Sequence, residues 1–583
     1  MDADGVRRIE LISATWERIQ ITLRFRPTDG PSIAPSTLRL RLVGAPGRGI
    51  PGVLMRLLGR SSPGGPPPES PPVRATLDGD VVVARFNVMQ GPGQEPLAAG
   101  RWELVGSGGG VTRVLGVAAP VAAALSEADR EFVFGRTRYG VRLVAHGQHA
   151  SAALEVAITP VAAADRPAGA AGDVGSTAPG DVGSTAPGDV APALSGRGPV
   201  ARLLRPVRWL RLGVFGLAYA LFRATARHDG RRILFTSDSR SELGGNLKLV
   251  YDRMVERGLD RDYELRTLFK ESITVRRGFR DRLRLPRLLA RADTIVIDDY
   301  QPVIYRFDDP DKRIVQLWHA WGAFKTVGYS RVGKPGGLNP YSRVHKTYTH
   351  AIVSSEAEVP FYAEAFGIPE SRVYPTGIPR MDRFWDPDRA AASREATLDA
   401  YPAARGRTVY LFAPTFRGHG AKTAWYDLSL IDYPALHALC VERDAVCIIR
   451  MHPFVRSPLD IPAAYADRII DGATSSIDIN DVLFATDLLI TDYSSVVFEY
   501  STMDRPMLFF AYDLESYVAE RDFYVRYEDF VAGRIVRTFD ELLDAIRRDD
   551  VGAERLAAFR ATHLGKFDGD ATDRVIDLIV GRS

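Results

Sequence analysis

Four chain segments carry histidine, arginine or serine directly behind runs that read as buried strands, where such side chains can work on a phosphate ester. The run KRIVQLWHA ends in His319 and opens into AWGAFKTVG with Lys325. An imidazole with an unperturbed pKa near ~6.5 is largely neutral at pH 7 and can accept the proton of an attacking hydroxyl. The bland alternative is a strand-end histidine satisfied by backbone hydrogen bonds. LFAPTFRG puts Thr415 and Arg417 just past a second run, and IIRMHP puts Arg450 and His452 past a third. A guanidinium grips two phosphate oxygens at once, which suits a diphosphate, unless it is already paired with neighbouring carboxylates. DLLITDYSS passes through Asp492 and Tyr493 to Ser494 and Ser495, at what reads as the start of a helix. Free N–H groups and the positive end of a helix dipole favour an anion there, and hydroxyls add donors, although serine is also an ordinary cap.

Other chemistries find little support. Gly244 and Gly245 in SELGGN lack both the dinucleotide fingerprint and the P-loop ending, so NAD or ATP binding is not inferred, and the pair is compatible with a tight turn. No HExxH, EF-hand or similar spacing occurs, so no protein-built metal site and no cofactor is expected, while a metal carried in with a diphosphate stays compatible. The two cysteines, Cys440 and Cys447, read as buried small hydrophobes.

These residues need strand ends to hold them, and the chain supplies two series of strands. RRILFTSD, YELRTLF, DTIVIDDY, KRIVQLWHA and HAIVSS read as buried strands, with NLKLVYDRMVERG and DRLRLPRLLARA as helices between the early ones. TVYLFAPTF, AVCIIRMHP, DLLITDYSS and MLFFAYD form a second set. The expectation is α/β: two Rossmann-type domains, 231–395 and 396–583, facing a cleft at the carboxyl ends of their strands. Residues 1–160 show IQITLRF, STLRLRL, VVVARFNV, RWELVGS, YGVRLVA and ALEVAIT between Gly/Pro-rich turns, which predicts an all-β, sandwich-like domain. Residues 161–200 carry a tandem GDVGSTAP and read as a flexible linker.

From Ala201 to Arg232 there are eight arginines and one acid, Asp229. At helical spacing Leu203, Val207, Leu210, Val214, Leu217 and Leu221 form one stripe and Arg202, Arg205, Arg208 and Arg211 the opposite side, so 201–230 is expected to lie on a membrane surface. A domain-packing helix has the same stripe. A formal charge of +3 gives no reason to expect nucleic acid binding. Neither a secretory h-region nor a stretch of ~18 apolar residues is found, so the expected place is the cytoplasmic face of the membrane, as a peripheral protein.

From about Arg231 onward the chain resembles the CDP-glycerol glycerophosphotransferase family, the polymerases and primases of wall teichoic acid. The resemblance runs through QLWHAWGAFKTVG, YPTGIPRMD, LFAPTFRG, IIRMHP, DINDVLFATDLLITDYSSVVFEYSTMDRPMLFFAYDLESY, FYVRYEDFVAGRIVRTFDELLDAI and FDGDATDRVIDLI. It implies a glycosyltransferase-B-like fold with the carboxyl-terminal helices packing back across the first domain. It implies transfer of glycerol phosphate from CDP-glycerol to a lipid-linked teichoic-acid-like or capsular polymer, with release of CMP. By the same resemblance His319 is the base and His452 stands near the donor phosphates. Thr415, Arg417, Arg450, Ser494 and Ser495 hold the diphosphate or the transferred phosphate, and Glu499 approaches the ribose. Lys325, in the loop after His319, is taken as a further substrate contact. Where the family commonly has Gly-Thr-Pro after the first histidine, this chain has Ala320, Trp321 and Gly322, a departure that bears on acceptor shape and polyol identity. Alternatives are a CDP-ribitol or other polyol-phosphate transferase, a nucleotide-sugar glycosyltransferase, and a silent membrane adaptor; retention of both histidines argues against the last.

Overall fold

The computed structural model describes residues 6–28, 35–44, 69–71, 73–108, 111–117, 129–134, 137–146, 151–161, 205–271, 275, 277–306, 309–334, 337–418 and 423–581. The linker expected at 161–200, except Val161, lies outside the described residues, as do Arg202 and Leu203.

Among the described residues the first 160 form ten strands: β1 (Val6–Glu17), β2 (Gln20–Pro27), β3 (Arg39–Gly44), β4 (Arg74–Asp78), β5 (Val81–Asn87), β6 (Gly100–Gly108), β7 (Val111–Val117), β8 (Arg130–Phe134), β9 (Thr137–His146) and β10 (Ser151–Pro160). They pair in the order β4-β5-β2-β1-β7-β6-β10-β9-β8, with β3 on the other edge of β6. Period-two alternation puts Ile21, Leu23 and Phe25 of β2 and Val82, Ala84 and Phe86 of β5 into one core. The sheet curls over that core: the Tyr139 hydroxyl on β9 donates to the Leu97 carbonyl at 2.7 Å, near strands at the far end of the pairing order. Four strands, β1, β4, β7 and β8, are additional to the six expected. In β1 a register shift between Leu11 and Ser13 breaks the alternation that would have announced it.

Helix α1 (Arg205–Thr225) follows, with Pro206 in its first turn, where a missing N–H costs nothing. Its Phe215 and Tyr219 pack on the core, and the Tyr219 hydroxyl and Arg223 guanidinium both bond Asp309. Val214, Leu217 and Leu221 stay 60%, 74% and 62% exposed, a bare apolar ridge along the other side. No helix among the described residues is long and apolar enough to cross a membrane.

Two wholly parallel six-stranded sheets make up the rest. The first has β11 (Arg232–Ser237), β12 (Glu264–Phe269), β13 (Thr294–Ile297), β14 (Arg313–Gln316), β15 (His350–Ile352) and β16 (Val373–Tyr374), in the order β12-β11-β13-β14-β15-β16. The second has β17 (Thr408–Phe412), β18 (Ala445–Ile449), β19 (Ile469–Asp471), β20 (Leu488–Thr491), β21 (Met507–Phe510) and β22 (Arg534–Val536), in the order β19-β18-β17-β20-β21-β22. Central strands such as β13, β18 and β20 are buried along their whole length, which is why they read as unbroken apolar runs. YELRTLF is a correction: β12 is an edge strand whose Glu264, Arg266 and Thr267 are exposed. Helices α2 (Gly245–Glu256) and α3 (Phe279–Arg291) fall where expected, and α3 carries Pro286 inside it. Helix α4 (Val359–Phe366) precedes β16, and α5 (Val496–Ser501) follows β20. The last helix, α6 (Ala571–Val580), returns to the first sheet: Val575, Ile576 and Ile579 join its core, and Asp573 bonds Arg253 and Arg257 of the α2 segment.

In each parallel sheet the strand order reverses once, between β11 and β13 and between β17 and β20. Crevices for ligands open at the carboxyl ends of such switch points.

Candidate active site

At the first switch point β13 runs straight into Asp298 and Asp299, and β14 into Leu317, Trp318 and His319. Trp318 takes a left-handed φ of 51°, a conformation costing a bulky residue about 1–3 kcal/mol. It is over-determined by its partners. Its N–H donates to the Gln316 side chain at 2.8 Å, and its carbonyl accepts from the buried Asn246 amide at 2.8 Å. The kink delivers His319 with Nδ1 4.0 Å from Oδ1 of Asp299, long for a hydrogen bond, and with 19% of the side chain accessible. Burial lowers the imidazole pKa below its ordinary 6.5; Asp299 and the Asp298 backbone pull it up, while Arg380 and Arg240 push it down. The ring is therefore neutral at pH 7, ready to accept a proton.

Asp298 is fully buried, with Arg240 2.7 Å from its Oδ2. Burial raises its pKa to about 7, helped by Asp299 and opposed by Arg240 and Arg380. The Gly-Gly pair now has a physical reason. A Cβ at Gly245, φ +56°, would meet the Arg240 guanidinium at 2.8 Å and Asp298 at 3.2 Å, so glycine lets ion pair and helix start share one space.

Two contacts join this cluster to the other sheet. Arg380, whose N–H donates to the Asn246 side chain, reaches Glu499 on α5 at 3.5 Å. Glu499 is buried, which raises its pKa, and its Oε2 has no hydrogen-bond partner among the described residues. The loop after His319 crosses over as well. Phe324 stacks on Phe523 and Phe530 at 4.4 and 3.9 Å, and Gly322 lies so close to Phe498 that a Cβ would stand 2.0 Å from its ring. Lys325 pairs its backbone with Phe523 and holds Nζ 5.6 Å from the Tyr517 ring centre. Trp321 is buried in the second half's core beside Phe384.

At the second switch point Asp492 ties the ends of β17 and β20 together, accepting from the Thr415 N–H at 2.7 Å and pairing with Arg417 at 2.8 Å. Arg417, expected to grip phosphate, is held by carboxylates of the protein itself. Its guanidinium bonds Asp492 and both oxygens of Asp513, among the rings of Tyr426, Tyr493, Tyr512 and Tyr517, with 6% of the side chain exposed. Burial would lower its pKa, but the carboxylates outweigh it and raise it. Arg450 also has partners within the protein. It donates to the Tyr401 hydroxyl and to the Gly472 and Ile477 carbonyls at 2.6–3.0 Å, pinning the segment after β19.

His452 accepts the Phe454 N–H on Nδ1 at 3.1 Å, which puts its proton on Nε2 and makes it a donor even when neutral, and its ring sits between Phe416 and Phe454. The Thr415 Oγ1 is buried without a hydrogen-bond partner among the described residues. Ser494, half-buried, accepts the Val496 N–H at 3.3 Å, and Ser495 is exposed at the head of α5. His319 and Glu499 thus belong to one cluster bridged by Arg380, while Thr415, Ser494 and Ser495 follow the two strands at the second switch point and His452 follows β18 beside them. Sequence reasoning missed Arg240, Asp298, Asp299 and Arg380; the run TIVIDDY held the signal, acids immediately past a buried strand. Among the described residues no group of three His, Cys, Asp or Glu side chains is placed to hold a metal.

Residues 217–581 match the family model described as CDP-glycerol:poly(glycerophosphate) glycerophosphotransferase. The chain is 48% identical over 348 residues to teichoic acid ribitol-phosphate polymerase TarK of Staphylococcus aureus, covering 59% of this chain and 67% of that protein. It is 39% identical over 377 residues to the teichoic acid poly(ribitol-phosphate) polymerase of Bacillus spizizenii, 64% of this chain and 60% of that protein. In fold it is similar to the wall teichoic acid polymerase TagF, with a TM-score of 0.50 at 22% identity over 65% of this chain and 96% of that structure.

Proposed function

Since the chain belongs to the CDP-glycerol:poly(glycerophosphate) glycerophosphotransferase family, we propose that it is a teichoic acid polyol-phosphate transferase, moving the polyol phosphate of a CDP-polyol onto the end of a lipid-linked polymer and releasing CMP. The observation that carries this is the strand-end imidazole of His319, kept neutral by burial and aimed through Nδ1 at Asp299. In this mechanism the acceptor hydroxyl gives its proton to Nε2 of His319 while its oxygen attacks the phosphorus that bears the polyol. The bond from that phosphorus to the bridging oxygen breaks, and CMP leaves with the electron pair. Asp299 steadies the imidazolium, and the Nε2–H of His452, the Thr415 hydroxyl and Ser494 and Ser495 donate to the diphosphate oxygens. Arg417 and Arg450 act one step back, fixing the loops that carry those donors. Glu499, through Arg380, and Lys325 border the substrate.

The two parallel sheets serve as the acceptor half, 231–395, and the donor half, 396–583, of a glycosyltransferase-B arrangement, and the curled β-sheet of 1–160 binds polymer or another protein. Helix α1 rests on the cytoplasmic face of the membrane, its bare Val214–Leu217–Leu221 ridge in the acyl boundary. For the polyol, two relatives at 48% and 39% identity named for ribitol phosphate favour CDP-ribitol, whereas the family model's own description favours CDP-glycerol. With a lipid-linked acceptor present, CMP release is expected to be about ten-fold or more faster from CDP-ribitol, because a site built around extra hydroxyls is left with unpaired groups by the shorter polyol. Equal or faster release from CDP-glycerol would return the assignment to glycerol.

A further inference from the structure

At the opposite edge of the first sheet from His319, where β11 and β12 begin, a hollow of about 300 Å³ is lined by Arg232, Arg266, Arg284, Arg287, Arg291 and a single carboxylate, Glu264. That carboxylate is already shared, accepting from Arg232 at 3.1 Å and from Arg266 at 2.8 Å. Arg284, Arg287 and Arg291 recur at helical spacing and so share one face of α3. Among the described residues Arg284 pairs only with Asp281, at 4.0 Å, and Arg287 and Arg291 have no carboxylate partner. Five guanidiniums around one concave space repel each other unless an anion with several oxygens enters.

We propose that this hollow is a binding site for the phosphate of an anionic lipid headgroup, which fixes how the enzyme sits on the membrane. A free phosphate has the same chemistry, but the surroundings favour a lipid. Helix α3 packs against α1, whose Val214, Leu217 and Leu221 are bare, and α3 itself exposes Leu283 to 60%. An apolar ridge beside a cluster of arginines is what an interfacial element offers to acyl chains and headgroups together, and a soluble phosphate has no use for the leucines. The strands are six residues long, so the hollow stands roughly 20 Å from the catalytic crevice. A lipid held there leaves the crevice open to a polymer end.

The inference rests on the membrane reading of α1, and the test separates the two. Full-length protein is sedimented with phosphatidylcholine vesicles with and without phosphatidylglycerol, as wild type, as the R284Q/R287Q/R291Q variant, as the corresponding triple lysine variant, and as L217D/L221D. Expected is a preference of the wild type for phosphatidylglycerol, lost by about 100-fold in the triple glutamine variant at roughly a factor of five to six per arginine, and partly kept with lysine. Residual binding to neutral vesicles remains in the glutamine variant and disappears in L217D/L221D. Unchanged phosphatidylglycerol binding by a triple glutamine variant with wild-type circular dichroism would overturn the site while leaving the α1 reading intact. Failure of the wild type to bind any vesicle would overturn both. In a parallel titration with inorganic pyrophosphate, tight binding that needs the three arginines, together with arginine-independent vesicle binding, would make the hollow a soluble-phosphate site and overturn the lipid assignment.

Discussion

In the proposed mechanism His319 is the base and works only in its neutral form, so the pH at which it loses its proton sets the acidic limb of the reaction. Burial holds its pKa below 6.5, and a neutral base is lost as pH falls through that lowered value. The acidic limb of kcat/KM should therefore lie below pH 6.5. Asp299 is the carboxylate that pulls this pKa upward, so D299N should move the limb to still lower pH while reducing the rate, because the imidazolium formed during transfer loses its counter-charge. A pH–rate profile of the two proteins checks this, and a limb that stays put or moves up in D299N would contradict it. Burial works in the opposite direction on Asp298, keeping a proton on a carboxyl up to about pH 7 beside a base that must be empty. Two neighbouring groups held in opposite protonation states are what proton-transfer sites require.

Among the elements, strand-to-helix turns carry nearly all the candidate chemistry, and buried ion pairs hold those turns in place. Arg417 is the clearest case, because removing it leaves Asp492 and Asp513 facing each other without a cation. R417M should destabilise the second half by about 3–5 kcal/mol, read as a lower urea midpoint, with D492N partly restoring it. If Arg417 gripped the donor instead, R417M would weaken donor binding and leave the midpoint unchanged. These elements were unequally legible. Central strands announced themselves as apolar runs, and the residues behind four of them marked both switch points. The short strands β16, β19 and β22 have two or three residues and no period to read, and the bulge in β1 hid a long one. An arginine behind a strand does not reveal in sequence whether, like Arg417 and Arg450, it bonds carboxylates and carbonyls of the protein, since those partners lie tens of residues away.

Across the whole molecule the two parallel sheets and the amino-terminal sheet are tied through a few buried contacts. At the turn between β1 and β2, Arg18 pairs with the buried Glu364 of α4 at 2.6 Å and stacks 5.1 Å over Tyr524, so one hairpin touches both halves of the crevice. Gln20 adds a hydrogen bond to the same carboxylate. None of this could be read from a β-rich segment whose partners follow more than 300 residues later. Together with α6, which returns to the first sheet, and the 320–327 loop, which stacks on the second half, these contacts fix His319 relative to the second sheet. The most direct trial of transfer by His319 is CMP release from purified protein given a CDP-polyol, with and without a lipid-linked acceptor, in wild type and H319A. Acceptor-dependent release that falls by roughly 100- to 10,000-fold in H319A, with the fold intact by circular dichroism, is the predicted result. Release from CDP-polyols that persists in H319A, or that is absent from the wild type with both CDP-ribitol and CDP-glycerol, would contradict it.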